Sequence, residues 1–131
     1  DLDTLGGRDM NWNKILIVDD STTSRMIIRR CFQIAGYGEL SFEEAEDGLA
    51  ALSKIQQESY DLVISDIKMP KMDGTTLVKK LRLNPQTAET PVVIISSVGN
   101  EALEEELGKF TVHAIIKKPV SPAKILSFME E

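Results

Sequence analysis

Five short apolar runs alternate along this chain with longer stretches of helical periodicity. The runs cover residues 15–18, 40–45, 62–65, 92–95 and 114–116, and the second, which is interrupted by polar residues, predicts a weaker strand. Continuous apolar runs rich in β-branched residues suit strands that are buried on both faces. Strands joined by connections that each contain a helix run parallel, with helices on both faces of the sheet. The alternation therefore predicts an α/β fold: a doubly wound, five-stranded parallel sheet with five helices.

The stretches between the runs carry signals for helix starts and ends. Ser21 or Thr22 can cap a first helix that runs to about Ala35, where Gly36 ends it. Later helices are predicted after Gly48, after Gly74, from Asn100 to Leu107, and from Ser121-Pro122 to the C-terminus. In the first helix, apolar residues recur at helical spacing in two sets: Ile27, Cys31 and Ile34, and Ile28, Phe32 and Ala35.

Length, charge and cysteine content narrow the class of protein. A chain of 131 residues fits one domain. The net charge of −6 argues against a nucleic-acid partner, which needs a basic face. Cys31 is the single cysteine and cannot form an internal disulfide, so we expect a cytoplasmic protein. No apolar run approaches the length that spans a bilayer, and no leader of signal-peptide type opens the chain.

The first eleven residues differ from the rest. They are polar, contain Gly6-Gly7 and show no periodicity. We interpret residues 1–11 as a flexible leader, with Met10 as a candidate native start and the residues before it as a candidate expression remnant. Residues 12–131 are then one domain.

Polar side chains follow the predicted strands at their carboxyl ends, where open α/β sheets place their functional sites. They are Asp19 and Asp20 after the first strand, Asp66 after the third, Ser96 and Ser97 after the fourth, and Lys117 and Lys118 after the fifth. Taken singly, such an aspartate often only caps a helix, and such a serine or lysine often only contacts the loop or solvent. Their convergence on one edge instead predicts a site.

Three neighbouring carboxylates repel one another and favour a bound cation. Oxygen ligands suit Mg²⁺, and zinc is disfavoured because cysteine and histidine do not cluster here. His113 is the only histidine, and we interpret it as structural because it has no obvious aspartate partner for a Ser–His triad.

An aspartate can accept a phosphoryl group as a covalent intermediate. The transfer requires neutralised charge on the phosphoryl oxygens. Magnesium can bind one phosphoryl oxygen, and Lys118 can bind a second. The Ser96 hydroxyl and nearby backbone N–H groups can bind the third. Each role in a phosphoryl transfer to aspartate therefore has a candidate.

Six motifs occur in the order and at the spacing of one known family. They are Ile17-Val18-Asp19-Asp20, Ala45-Glu46-Asp47-Gly48, the segment 61–66 followed by Met69-Pro70, Met72-Asp73-Gly74, the segment 91–96, and Lys118-Pro119. On these motifs the chain, from about Lys14 to Glu131, closely resembles the CheY-like receiver domains of two-component response regulators. The resemblance implies the flavodoxin-like strand order 2-1-3-4-5.

The resemblance also implies a metal site and a phosphoacceptor. Asp66 matches the residue that is phosphorylated. Asp20 matches a direct Mg²⁺ ligand, and Asp19 a partner that acts largely through water. The backbone carbonyl of Lys68 would complete the protein's metal contacts.

The remaining implied roles concern catalysis and partners. Ser96 matches the hydroxyl that moves toward the phosphoryl group, and Lys118 matches the family's lysine because it directly precedes Pro119. Receivers take phosphate from a histidine kinase or a histidine phosphotransfer protein and hydrolyse it slowly. They are not otherwise enzymes. The expected downstream partner is a protein bound through helix 4, strand 5 and helix 5, with no nucleic-acid contact and no membrane insertion.

Two features depart from the family pattern. Ile115 stands three positions before Lys118, where an aromatic residue is usual. The stretch 108–118 is also about three residues longer than usual, so that residues 109–112 are expected to extend helix 4 or to bulge as a loop. Both departures affect the output surface, and partner identity is therefore left open.

Two alternative functions have sequence features that distinguish them. A phosphohydrolase of the haloacid dehalogenase type also uses an aspartate nucleophile after a parallel strand. Such enzymes usually carry a second aspartate two residues later, where this chain has Lys68. A pseudo-receiver that binds partners without phosphorylation usually lacks part of the carboxylate–lysine set, and this chain contains the whole set.

Overall fold

The structure is a computed structural model that describes residues 12–130. Within that range five strands alternate with five α-helices. The strands are β1 Lys14–Val18, β2 Ser41–Ala45, β3 Leu62–Asp66, β4 Val92–Ser96 and β5 Ala114–Lys117. The helices are α1 Thr22–Phe32, α2 Gly48–Gln57, α3 Gly74–Leu83, α4 Glu101–Leu107 and α5 Pro122–Met129. The predicted leader, residues 1–11, lies outside the described residues.

All neighbouring strands pair in parallel, in the order β2-β1-β3-β4-β5. This confirms the doubly wound, flavodoxin-like α/β fold. The register aligns Asp66 at the end of β3 with Ile95 on β4, and Ser96 on β4 with Lys117 on β5. The carboxyl ends of β3, β4 and β5 therefore meet at one edge of the sheet.

Each continuous apolar strand contributes alternate residues to two cores, because successive side chains point to opposite faces. On β1, Leu16 and Val18 pack against α2, α3 and α4, whose buried residues include Ala51, Leu77 and Leu107. On the other face, Ile15 and Ile17 pack against α1 and α5. The side chains that α1 and α5 bury there are Ile28, Cys31, Phe32, Ile125, Phe128 and Met129. The two layers fix the sheet edge that carries the predicted site.

Helix α1 begins as predicted, with the Ser21 hydroxyl accepting a hydrogen bond from the Ser24 N–H. Its buried face includes Ile28, Cys31 and Phe32, whereas Ile27 and Ile34 are exposed. Beyond Phe32 the chain continues as a wider π-type turn over Gln33–Tyr37. Gly36 has a φ of 99° there, a conformation that favours glycine.

The lengthened stretch after α4 forms a loop and does not extend the helix. Helix α4 ends at Leu107, and the Phe110 N–H donates back to the Leu107 carbonyl. The Arg82 guanidinium on α3 donates to the Thr111 carbonyl. Asn100 precedes α4, but its side chain forms no capping hydrogen bond, so the predicted side-chain cap is wrong.

No helix in the described part of the chain is long and apolar enough to cross a membrane.

Candidate functional site

Three carboxylates converge where β1 and β3 end. Asp19 and Asp20 directly follow β1, and Asp66 is the last residue of β3. One oxygen of each carboxylate lies within 4.8 Å of the others. Asp19 and Asp66 are buried, and Asp20 is exposed at the mouth of the cluster. The three predicted acidic residues therefore form one cluster that opens to solvent.

Asp19 is almost fully buried, and only one of its two carboxylate oxygens has a hydrogen-bond partner. Its Oδ1 accepts a hydrogen bond from the Ser21 N–H at 2.9 Å, whereas its buried Oδ2 has no hydrogen-bond partner. Burial raises the pKa of the Asp19 carboxyl, although the Ser21 N–H opposes the shift. An unpartnered oxygen inside an acidic cluster is the feature that a bound cation would satisfy.

Asp66 lies between the other two carboxylates of the acidic cluster and a lysine. Its Oδ1 accepts a hydrogen bond from the Ile67 N–H at 2.9 Å and lies 3.5 Å from the Lys118 Nζ. Burial raises the pKa of the Asp66 carboxyl, and the Lys118 charge partly opposes that rise. The carboxylate is thus fixed by one backbone contact and one cationic contact.

The donor set fits a hard divalent cation. The cluster within the described residues contains carboxylates alone, and oxygen-only ligands suit Mg²⁺. Lys68 follows Asp66 by two residues, in the loop after β3, with its side chain exposed. Only its backbone carbonyl was predicted to contact the metal, so an outward side chain is compatible with that role.

The two lysines at the end of β5 contact different carboxylates. The Lys118 Nζ lies 3.5 Å from Asp66, whereas the Lys117 Nζ lies 2.5 Å from an oxygen of Glu104 on α4. Successive residues of an extended chain point to opposite sides, which explains the separation. The peptide bond between Lys118 and Pro119 is cis.

Ser96 ends β4 with a fully buried side chain. Its hydroxyl donates to Glu104 Oε2 at 2.6 Å and approaches the Ser97 carbonyl at 3.4 Å. The structure thus brings Ser96 to the predicted edge of the sheet, but the hydroxyl is bonded to α4. The sequence contains no signal for this contact, because eight residues and a loop separate Ser96 from Glu104.

The loop after Asp66 contains a tight turn for which the sequence carries no turn signal. Lys71 has a φ of 67°, and the Met72 N–H donates to the Pro70 carbonyl at 2.7 Å, which defines a γ-turn. The Met72 carbonyl then accepts a hydrogen bond from the Gly48 N–H at the start of α2. Strained turns of this kind concentrate at functional sites.

Glycine is required where this loop meets α3. A Cβ added to Gly74 would lie 2.6 Å from the Asp66 carbonyl oxygen, closer than real contacts allow. The Gly74 N–H donates to the Ile67 carbonyl at 2.8 Å. The Met72-Asp73-Gly74 motif therefore lets α3 begin directly against the end of β3, with Asp73 as its N-cap.

Two further predicted residues lie away from the carboxylates. Ile115, on β5, is 37% exposed. His113 contacts the Phe128 carbonyl through Nε2 at 3.1 Å, and its ring packs edge-on against Trp12. These contacts agree with the structural interpretation of His113.

Comparison with known protein families gives a match over most of the chain. The sequence model of the response regulator receiver domain matches residues 15–130. A probable chemotaxis protein CheY of Rhizobium etli is 31% identical over 117 residues, which are 89% of this chain and 89% of that protein.

Two other comparisons concern a longer protein and a solved structure. A gliding motility regulatory protein of Myxococcus xanthus is 39% identical over 87 residues, 66% of this chain. The match spans only 11% of that protein's length. A solved structure of the chemotaxis protein CheY4 of Vibrio cholerae has a TM-score of 0.76 and 33% identity. It covers 88% of this chain and 94% of that one.

Proposed function

Since this chain belongs to the response regulator receiver family, we propose that Asp66 is its sole phosphoacceptor. The chain is a phosphoacceptor signalling domain of a two-component system. The observation that carries this proposal is the position of the Asp66 carboxylate. It lies between the Lys118 ammonium, 3.5 Å away, and the two carboxylates that follow β1. We also assign residues 12–131 to the domain and residues 1–11 to a leader.

The proposed reaction is a displacement at phosphorus. A carboxylate oxygen of Asp66 forms a bond to phosphorus while the bond from phosphorus to the donor's imidazole nitrogen breaks. With acetyl phosphate as donor, the broken bond is the phosphorus–oxygen bond to acetate. Lys118 neutralises charge on the phosphoryl group, and the Ser96 hydroxyl donates to one of its oxygens. Water later cleaves the acyl phosphate, releasing inorganic phosphate and restoring the carboxylate.

Receiver domains generally bind Mg²⁺ at an acidic pocket. In this chain Asp20 and Asp66 would hold the ion directly, Asp19 largely through water, and Lys68 through its carbonyl. When bound, the ion supplies positive charge that stabilises the phosphoryl oxygens during transfer. The unpartnered Oδ2 of Asp19 supports this assignment.

Receiver domains are signalling domains rather than classical enzymes. We propose that this chain catalyses only its own phosphorylation and slow dephosphorylation, in the cytoplasm. A histidine kinase or a histidine phosphotransfer protein would supply the phosphoryl group. A downstream protein would bind through α4, β5 and α5. The dehalogenase-type alternative is not favoured, since Lys68 stands where those enzymes usually carry their second aspartate.

The test is intact-mass measurement after incubation with Mg²⁺ and acetyl phosphate. Wild-type protein should gain one phosphoryl group, and Asp66→Asn should gain none. Asp73→Asn is the matched control, because asparagine also caps helices and Asp73 caps α3 outside the acidic cluster. It should be labelled like the wild type. Undiminished labelling of Asp66→Asn would refute the assignment.

A further inference from the structure

The Ser96 hydroxyl has a partner that the proposed function does not use. It donates to Glu104 Oε2 at 2.6 Å, and Lys117 Nζ lies 2.5 Å from the same oxygen. Ser96 and Lys117 are paired in the register of β4 and β5, so both approach Glu104 from neighbouring strand ends. The contact joins the edge of the sheet to the middle of α4.

The carboxylate of Glu104 is well suited to hold this hydroxyl. Its side chain is 20% exposed and that of Lys117 is 49% exposed, so the ion pair covers a buried serine. Lys117 and the Ser96 hydroxyl lower the pKa of the Glu104 carboxyl, which favours the charged acceptor. A hydrogen bond to a charged acceptor is stronger than one to a neutral group.

A serine hydroxyl carries one proton and can make one strong donated hydrogen bond at a time. The bond from Ser96 to Glu104 and a bond from Ser96 to a phosphoryl oxygen on Asp66 therefore exclude each other. Resting on the proposed function, this exclusion creates two alternative states of the hydroxyl. A group that stabilises one state must therefore lower the binding affinity of a ligand that selects the other state.

We propose that Glu104 is a positioning residue that holds the Ser96 hydroxyl on α4 until Asp66 is phosphorylated, with Lys117 fixing the Glu104 carboxylate. Phosphorylation draws the hydroxyl to the new anion and breaks its bond to α4. Glu104 then keeps Lys117 as its partner, and α4 loses its hydrogen bond to the end of β4. The exchange couples the charge on Asp66 to the position of α4.

The test measures the affinity for beryllium fluoride with saturating Mg²⁺ by calorimetry. This probe stands in for the phosphoryl group on Asp66. Glu104→Ala removes the competing acceptor, so the probe should bind about fivefold to tenfold more tightly than to the wild type. Glu105→Ala, on the same helix with an exposed side chain, loses the same charge and should change the affinity less than about twofold.

A double variant separates hydrogen-bond competition from general electrostatics. In the Ser96→Ala background there is no hydroxyl to release, so adding Glu104→Ala should give no further gain. Glu104→Gln keeps an acceptor oxygen and should gain less than Glu104→Ala. Melting curves verify that each variant is folded.

Three results would overturn the proposal. They are an unchanged affinity in Glu104→Ala, an equal gain in Glu105→Ala, and a gain that persists without the Ser96 hydroxyl. If the wild type itself binds no beryllium fluoride, the assignment of Asp66 fails instead. The two failures are therefore distinguishable.

Discussion

The two adjacent lysines at the end of β5 differ in what they contact. Lys118 lies beside Asp66, and Lys117 pairs with Glu104. Sequence reasoning could rank them, because Lys118 adjoins Pro119 as in the family motif. It could not identify Glu104, since a contact between a strand end and a later helix depends on how the two elements pack. Local motifs thus predict the residues of the site more readily than its long-range contacts.

Replacement of the two lysines should separate their roles. We predict that Lys118→Ala slows phosphorylation by acetyl phosphate by about tenfold or more, because it removes the cation beside the reacting carboxylate. Lys117→Ala is the matched control and should change the rate by less than about threefold. Initial rates of mass labelling measure both. A larger loss in Lys117→Ala would contradict the geometry at the end of β5.

At the scale of elements, the apolar runs predicted all five strands to within a residue or so. The runs did not decide which stripe of α1 is buried, because Ile27 and Ile28 both recur at helical spacing. Packing against the sheet settles this, burying Ile28 and leaving Ile27 exposed. The γ-turn at Lys71 was also not predicted, since lysine carries no preference for a positive φ.

Helix α3 begins so close to the end of β3 that one added methyl group should lower the stability of the fold. Gly74→Ala places a Cβ 2.6 Å from the Asp66 carbonyl oxygen, so we predict a loss of about 1–3 kcal/mol in the free energy of unfolding. Gly38→Ala is the control, because its Cβ would make only ordinary contacts with Gln33. Urea denaturation compares the two. Equal stability of Gly74→Ala and wild type would show that the helix start can shift.

Phosphorylation should change the elements at the end of the sheet that carry Ser96 and Lys118. We predict that beryllium fluoride with Mg²⁺ alters hydrogen exchange mainly within residues 96–121. The new charge gains contacts from Ser96 and Lys118, and a ligand shifts a conformation only through such differential contacts. Ile115 is smaller than the usual aromatic residue, so the change in β5 should be modest.

Ser96→Ala is the control for that measurement. It should still bind the probe but show a muted change in α4. The opposite pattern would contradict an output surface formed by α4 and β5. In that pattern hydrogen exchange changes around residues 26–32 or 49–55, and residues 102–107 and Ile115 are unaffected.

At the scale of the whole molecule, the acidic cluster links metal binding to stability. Burial raises the pKa values of Asp19 and Asp66, so the folded state holds their protons to higher pH than the unfolded state does. Their contribution to stability is fully present below the unfolded pKa, about 4, and is lost as pH rises through the folded pKa values. A divalent cation would offset that loss.

Magnesium should therefore stabilise the protein more at pH 7 than at pH 4. Binding to the folded state alone contributes about 1.4 kcal/mol at ten times Kd. Melting curves with and without Mg²⁺ at the two pH values measure the difference. Asp20→Asn should weaken the effect strongly, and Asp73→Asn should keep it. A wild-type melting temperature indifferent to millimolar Mg²⁺ at pH 7 would count against the metal site.

The identity of the phosphorylated residue is tested most directly by trapping the acyl phosphate. Borohydride reduces an aspartyl phosphate to homoserine, and peptide mass spectrometry then locates the reduced residue. After phosphorylation with acetyl phosphate and Mg²⁺, we predict homoserine at position 66 and at no other aspartate. Homoserine at Asp19, Asp20 or another position, or none in a sample whose intact mass shows a phosphoryl group, would contradict the assignment of Asp66.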